Sequence, residues 1–353
     1  MTPPGGTGIP KVFTIHPGRP FVDVLAESLL AETGGNPERL ADYQILLPTR
    51  RAIRALTEAF LRAAGGRTVL LPKLTPLGDV DIDELNDGES AETGGLDLAP
   101  ALPGMRRQTL LASLIRAATE RLDFREIKNL IPPDHELAEH WQKTVRFLDI
   151  VADAWPVYLA EAGCLDGAER RNRVLQQRTE AWRRQPPATP VIAAGSTGSI
   201  PATADLLAVI AELPRGAVIL PGLDRDMPDD AWEALEPHHP QYGLKHLLSR
   251  FACGRTNVAD WAPEIGGTAP ARKARGDLFS LALRPAAVTG AAGAPGDDTD
   301  AAAVAGLARI DCATLAEEAS VIALALREAL ETPGKTAALV TPDRALARRV
   351  KAE

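Results

Sequence analysis

Apolar positions along the chain alternate between two regimes. Val12-Phe13-Thr14-Ile15, Ile45-Leu46-Leu47-Pro48 and Val69-Leu70-Leu71-Pro72 are short continuous apolar runs, the pattern of strands buried in a sheet. Between them, Phe21 to Glu32 places Phe21, Val24, Leu25 and Leu29 at helical spacing. Thr49 stands as N-cap before a second helix from Arg50 to about Ala64. Strand–helix–strand–helix–strand predicts a parallel sheet with right-handed crossovers.

Residues 79–97 are acidic, contain glycine and have no periodicity, so they read as a loop. From Arg107 to about Trp182 the pattern is helical, broken at Pro132-Pro133, Pro156 and Gly163, with Asp134 as an N-cap. This predicts an all-helical insertion at 101–185. Strands then return at Val191–Ala194 and Ala217–Leu220, with a helix starting near Pro201 between them. Residues 264–306, rich in Gly, Pro, Ala and Asp, read as a linker. Ala308–Asp311, a helix at Ala316–Glu331, a strand at Ala337–Val340 and a helix from Asp343 open a second βαβ unit at 307–353. That last helix is still in rhythm at Glu353, with no C-cap glycine, so a truncated second domain is expected. The fold class expected is therefore α/β. One parallel-sheet domain spans 11–100 and 186–263 after a lead-in at 1–10, and a second α/β domain begins after the linker.

Composition narrows the function classes. With 39 Lys+Arg against 47 Asp+Glu, the net charge is −8, which argues against a histone-like binder but leaves local DNA contacts open. Three cysteines, none spaced C-x-x-C, exclude a disulfide framework and disfavour structural zinc. The first ten residues hold no apolar signal core, and no 18 apolar residues run together. A cytoplasmic protein with no membrane partner is expected.

Several motifs resemble catalytic ones and fail on spacing. Gly334-Lys335-Thr336 has the end of a phosphate loop, but Ala329 stands where the first glycine belongs and the order is helix–turn–strand. The proper place for such a loop follows the first strand, at His16, Pro17, Gly18, Arg19. It lacks the lysine and hydroxyl that handle the β/γ-phosphates and Mg²⁺, so no catalytic or nucleotide-binding residue is assigned there. His135 and His140 are i, i+5 on a helix and diverge by roughly 140°, too far to share one zinc. Asp79–Asp83 opens like a calcium loop but has Glu84 at the required glycine and Ser90 at the required glutamate. No metal ligand is assigned.

Ala194-Gly195-Ser196-Thr197-Gly198 follows a strand and precedes a helix, near the geometry of a nucleophile elbow. His238, His239 and His246 lie downstream, with Asp224 or Asp226 available. A standalone serine hydrolase using Ser196 is one alternative, and a nucleotide-binding protein with an unrecognised phosphate loop is another. An internal comparison points elsewhere. Leu47-Pro48-Thr49-Arg50-Arg51-Ala52-Ile53 and Val340-Thr341-Pro342-Asp343-Arg344-Ala345-Leu346 both read strand, short turn, arginine-led helix. Backbone amides, a hydroxyl and a guanidinium at one helix start suit a nucleic-acid phosphate, or the arginines simply solvate the turn. A second basic stripe, Arg170, Arg171, Arg173, Arg178, Arg183 and Arg184, carries the same two readings.

These segments carry a resemblance. Ile45–Ala52 with Leu77–Asp81, Ala194–Thr203, Val218–Asp224, His239–Lys245 and Gly334–Arg344 together resemble the N-terminal part of the AddB family, in its alphaproteobacterial form. The ordered series covers nearly the whole chain and is more specific than any one motif. The family implies RecA-like domains of helicase type with helical insertions, and a C-terminal nuclease with an iron–sulfur cluster and Mg²⁺. It also implies work with AddA in an ATP-dependent helicase–exonuclease that resects double-strand breaks for recombinational repair. The phosphate-loop position lacks its lysine, and the metal-holding Asp-Glu position reads Ala194-Gly195-Ser196, so the resemblance implies an inactivated ATPase. Cys164, Cys253 and Cys312 are not assigned to the cluster. Candidate DNA contacts are Thr49, Arg50, Arg51, Ser196, Thr197 and Arg344, with DNA and an AddA-type subunit as expected partners.

Overall fold

A computed structural model describes residues 10–78, 163–265, 270–289 and 301–353, with 156, 159 and 160. Most of the expected helical insertion, the acidic loop 79–97, and His135 and His140 lie outside the described residues. The chain forms two compact units, residues 1–299 and 300–353.

The first unit is a parallel sheet. Its strands are β1 (Val12–Ile15), β2 (Gln44–Leu47), β3 (Lys73–Pro76), β4 (Val191–Ala194), β5 (Gly216–Pro221) and the short β6 (Ala259–Asp260). They lie in the order β3-β2-β4-β5-β1-β6, every pair parallel. The helices are α1 (Phe21–Glu32), α2 (Pro37–Ala41), α3 (Arg50–Ala64), α4 (Gly167–Arg184), α5 (Pro201–Glu212), α6 (Asp229–Glu233) and α7 (Tyr242–Arg250). After β6 come α8 (Pro270–Ala282) and α9 (Ala286–Thr289). The α/β class expected from the strand–helix alternation is the class observed.

Side-chain alternation explains why the strands are continuously apolar. Ile45, Leu47, Ile192, Ala194, Ala217 and Ile219 pack with α1 and α3 on one face. Leu46, Val191, Ala193, Val218 and Leu220 pack with α4, α5 and α7 on the other. A sheet covered on both faces needs apolar residues at both phases of the pleat. The helices are delimited as the sequence implies: Thr49 Oγ1 accepts from Ala52 N at 3.1 Å, Gly65 closes α3 at φ 58°, and Pro201 opens α5.

Three expectations need correction. The third strand is Lys73–Pro76 rather than Val69–Pro72, and Leu70 and Leu71 are exposed. This strand is at the sheet edge, where a proline is tolerated and fewer apolar residues are needed, so its apolar signal is weak. Residues 264–306, read as a linker, include the 13-residue helix α8. In the second unit, 308–311 and 337–340 form no ladder.

That second unit holds α10 (Ala301–Val304), α11 (Leu315–Leu330) and α12 (Arg344–Ala352). Thr314 Oγ1 accepts from Glu317 N at 3.1 Å and the Glu317 carboxylate accepts from Ala313 N at 2.9 Å, a reciprocal cap for α11. Leu346 and Val350 of α12 pack on Ala319 of α11, with Ile322, Ala323, Leu326 and Leu339 around them. The expected strand at 337–340 stays unpaired and Val340 is 93% exposed. A two-helix core this small supports little local stability. Amides of 337–340 are therefore expected to exchange far faster than those of 45–47 and 191–194 in hydrogen-exchange mass spectrometry. Equal protection would contradict the absence of a ladder.

Candidate nucleic-acid interface

The geometry begins where β2 and β4 end side by side. Leu46 pairs with Ala193 across the ladder, and a Cβ built on Gly195 would stand 3.8 Å from Pro48 Cδ. The turns carrying Thr49 and Ser196 therefore leave the same sheet edge from neighbouring strands. Gly195 has φ +76°, a left-handed conformation that also brings its backbone against Phe21, where a Cβ would lie 3.4 Å from the ring. The α3 connection runs over one face and the α5 connection over the other, the topology at which ligands bind in open α/β sheets.

Thr49, Arg50 and Arg51 are exposed at the start of α3, and the first turn of that helix holds no acidic residue. This placement is electrostatically unfavourable. Cations at the positive end of a helix dipole cost roughly 0.3–1 kcal/mol each, where Asp or Glu would stabilise. An anion bound at that end reverses the sign, since the amides, Thr49 and both guanidinium groups can then face it. Ser196 and Thr197 are half-buried, with Ser196 Oγ accepting from Gly198 N at 3.3 Å. Thr197 lies against the start of α7, where a Cβ on Gly243 would meet its Cβ at 3.5 Å. Arg344 belongs to the second unit, at the first turn of α12, which Asp343 caps by accepting from Ala345 N at 2.7 Å. Five of the six candidate residues are thus in the first unit.

The loop after β1 holds two of its own amides in internal hydrogen bonds. His16 Nδ1 accepts from Gly18 N at 3.1 Å, and Arg19 N donates to His16 O at 2.9 Å. The Arg19 side chain is 7% exposed and turns inward, donating to the carbonyls of Trp261 at 3.2 Å, Ala262 at 2.7 Å and Ile265. The guanidinium that sequence alone placed in this loop is a clamp on the segment after β6. Pro20 precedes α1 without a side-chain cap, and Asp23 occupies its first turn. After β4, Ala194-Gly195-Ser196 holds no carboxylate.

The histidines downstream of Ser196 are engaged elsewhere. His239 contacts Leu283 O through Nε2 at 2.9 Å and accepts from Gln241 N at Nδ1 at 3.1 Å. His246 stacks on Tyr242 at 4.6 Å, and His238 lies 3.5 Å from Glu236. Among the described residues no histidine is hydrogen-bonded to Ser196 Oγ, so the pairing a nucleophilic serine needs is not formed there. The second basic stripe is no single face either. Arg170 is buried, Arg173 pairs with Glu169, and Arg178 lies over the Trp182 ring at 5.4 Å.

Among the described residues no three His, Cys, Asp or Glu side chains are grouped to hold a metal ion. The thiol of buried Cys253 is pushed up by desolvation, as is the Tyr43 phenol, to about 12, with Glu32 adding to it. No described helix is long and apolar enough to cross a membrane.

A crevice lies between the ends of β1 and β5, whose connections also run over opposite faces. A cavity of about 740 Å³ opens there, lined by Thr14, His16, Gly222–Pro228, His239, Gln241 and one side of α8. Gln241 organises it, donating to Gly222 O at 2.9 Å and accepting from Asp224 N at 3.1 Å. Sequence reasoning assigned no role to Gln241 or Thr14; their only signal was position, Thr14 within the first strand and Gln241 within the His239–Lys245 segment.

No protein-family model matches the chain, and no curated protein matches it.

With Arg19 committed to carbonyls and no lysine or metal-holding carboxylate in place, the site offers neither charge stabilisation nor Mg²⁺ placement for a triphosphate. Isothermal titration of MgATP is expected to show no binding tighter than about 1 mM, and no hydrolysis. Micromolar, Mg²⁺-dependent binding would contradict this.

Proposed function

We propose that the chain is the helicase-like, non-catalytic part of an AddB-type subunit. In this reading a RecA-like sheet has lost its phosphate chemistry and its strand ends hold DNA. A partner of AddA type supplies the motor for resecting double-strand breaks in recombinational repair. One observation carries the reading. The first-unit segments with the family resemblance, scattered over some two hundred residues, converge on one edge of the sheet. Leu47–Arg51 ends β2, Ala194–Ser199 ends β4, Val218–Asp224 ends β5, and Gln241 bonds directly to that last turn.

The chemistry at this edge supports phosphate rather than base recognition. Guanidinium groups, a hydroxyl and helix-start amides position a backbone and carry no sequence information. Contacts of this type make binding weak, nearly sequence-independent and steeply salt-dependent. The overall charge of −8 confines such binding to the local arginine-bearing edge, because the molecule as a whole repels a polyanion.

The test is a fluorescence-anisotropy titration with single-stranded DNA over a salt series. Replacing Arg50 and Arg51 by Ala should flatten the slope of log K against log salt by about 0.7 for each phosphate no longer neutralised. An unchanged slope would remove the β2–α3 turn from the interface.

A further inference from the structure

The cavity between β1 and β5 is built rather than incidental. Thr14 Oγ1 at its base donates to Leu220 O at 3.2 Å and accepts from Leu223 N at 3.0 Å. Since His239 Nδ1 accepts from Gln241 N, Nε2 carries the proton and donates to Leu283 O, tying the loop before α7 to the end of α8. The wall formed by α8 closes against β1's loop at Gly276, where a Cβ would lie 3.4 Å from His16 Cε1. Its volume, about 740 Å³, lies within the roughly 300–1,000 Å³ of small-molecule sites.

The carboxylates around the cavity, Asp224, Asp226, Asp260 and Asp277, all have partners, whereas the Arg284 side chain has none among the described residues. Asp260 pairs with Arg225 at 2.7 Å. Asp226 and Asp277 share Lys273, at 3.9 and 3.3 Å. Asp224 Oδ1 accepts from the amides of Asp226 at 3.2 Å and Met227 at 2.9 Å. Arg284 is half-buried and lines the cavity, and its side chain has no hydrogen-bond or ion-pair partner among the described residues; its Nε is sequestered from solvent without an acceptor. A guanidinium N–H removed from water without an acceptor is costly, and an anion that pairs with it recovers that cost. The same wall presents Phe279, a large apolar ring left 53% exposed at the cavity.

We propose that this cavity is a binding site for a small aromatic anion, a carboxylate or phosphate monoester that pairs with Arg284 while its ring lies on Phe279. Guanidinium suits this because its planar fork donates to both oxygens of such a group at once. The cavity lies on the same sheet edge as the arginine-led turn at Thr49 but between β1 and β5 rather than β2 and β4, and the inference does not depend on the DNA-binding reading.

The test uses the full chain with phenyl phosphate and benzoate as probes, followed by isothermal titration and thermal melting. At least one of them should bind with a Kd of about 1 mM or tighter, and which one distinguishes the phosphate from the carboxylate class. Inorganic phosphate and the neutral benzyl alcohol should bind at least about tenfold more weakly. Arg284→Gln should abolish binding without lowering the melting temperature of the free protein, because the guanidinium has no protein partner to give up. Phe279→Ala should weaken the aromatic anions and leave inorganic phosphate unaffected. Absence of binding by both probes at about 10 mM, or equal binding to Arg284→Gln, would overturn the proposal. So would inorganic phosphate matching the probes, or a fall in the melting temperature of free Arg284→Gln.

Discussion

Burial of the sheet on both faces is the constraint from which the rest of the first unit follows. Helices cover each side, so neighbouring residues of β2, β4 and β5 enter different cores. Connections must then run over both faces, and open α/β sheets bind ligands where adjacent strands send their chains to opposite faces. It happens twice, between β2 and β4 and between β1 and β5. The first of these places carries the arginine-led turn, and the second holds the Gln241-organised cavity. The magnitudes permit this division of labour. Each fully buried Leu, Ile or Val contributes about 1.5–3 kcal/mol, whereas placing Arg50 or Arg51 against the helix dipole costs less than about 1 kcal/mol.

Legibility in the sequence tracks the same constraint. Strands covered on both sides announce themselves as continuous apolar runs, which is why 12–15, 45–47 and 191–194 were readable to within a residue. An edge strand needs apolar residues only where it meets the core, so Lys73–Pro76 was hidden behind the more apolar Val69–Leu71, of which Leu70 and Leu71 are exposed. The two-residue β6 and the helix α8 had no such signature, β6 being too short for any period and α8 lying in a Gly/Ala/Pro-rich stretch. In the second unit the helices formed because their own caps and one shared seam suffice, while 337–340 lacked a neighbouring strand to pair with.

The candidate sites were legible to different degrees for a related reason. Thr49, Arg50 and Arg51 stood out because an N-cap followed by arginines is a local pattern that contradicts the helix dipole. Arg19 was legible only as part of a degenerate phosphate-loop position, and its guanidinium is committed to carbonyls of the segment 261–265, more than two hundred residues away. Such long-range hydrogen bonds leave no trace in spacing. The same holds for Arg284, whose significance rests on what surrounds it and on the acceptor its Nε lacks.

The central claim is that DNA is held by the strand ends at β2 and β4. Hydrogen-exchange mass spectrometry of the chain with and without saturating single-stranded DNA addresses it directly. Added protection at residues 48–52 and 195–198, with α4 at 167–184 unchanged, is the outcome expected of phosphate contacts at that edge. Protection confined to 167–184, with both turns exchanging as in the free protein, would place the DNA elsewhere and contradict the account.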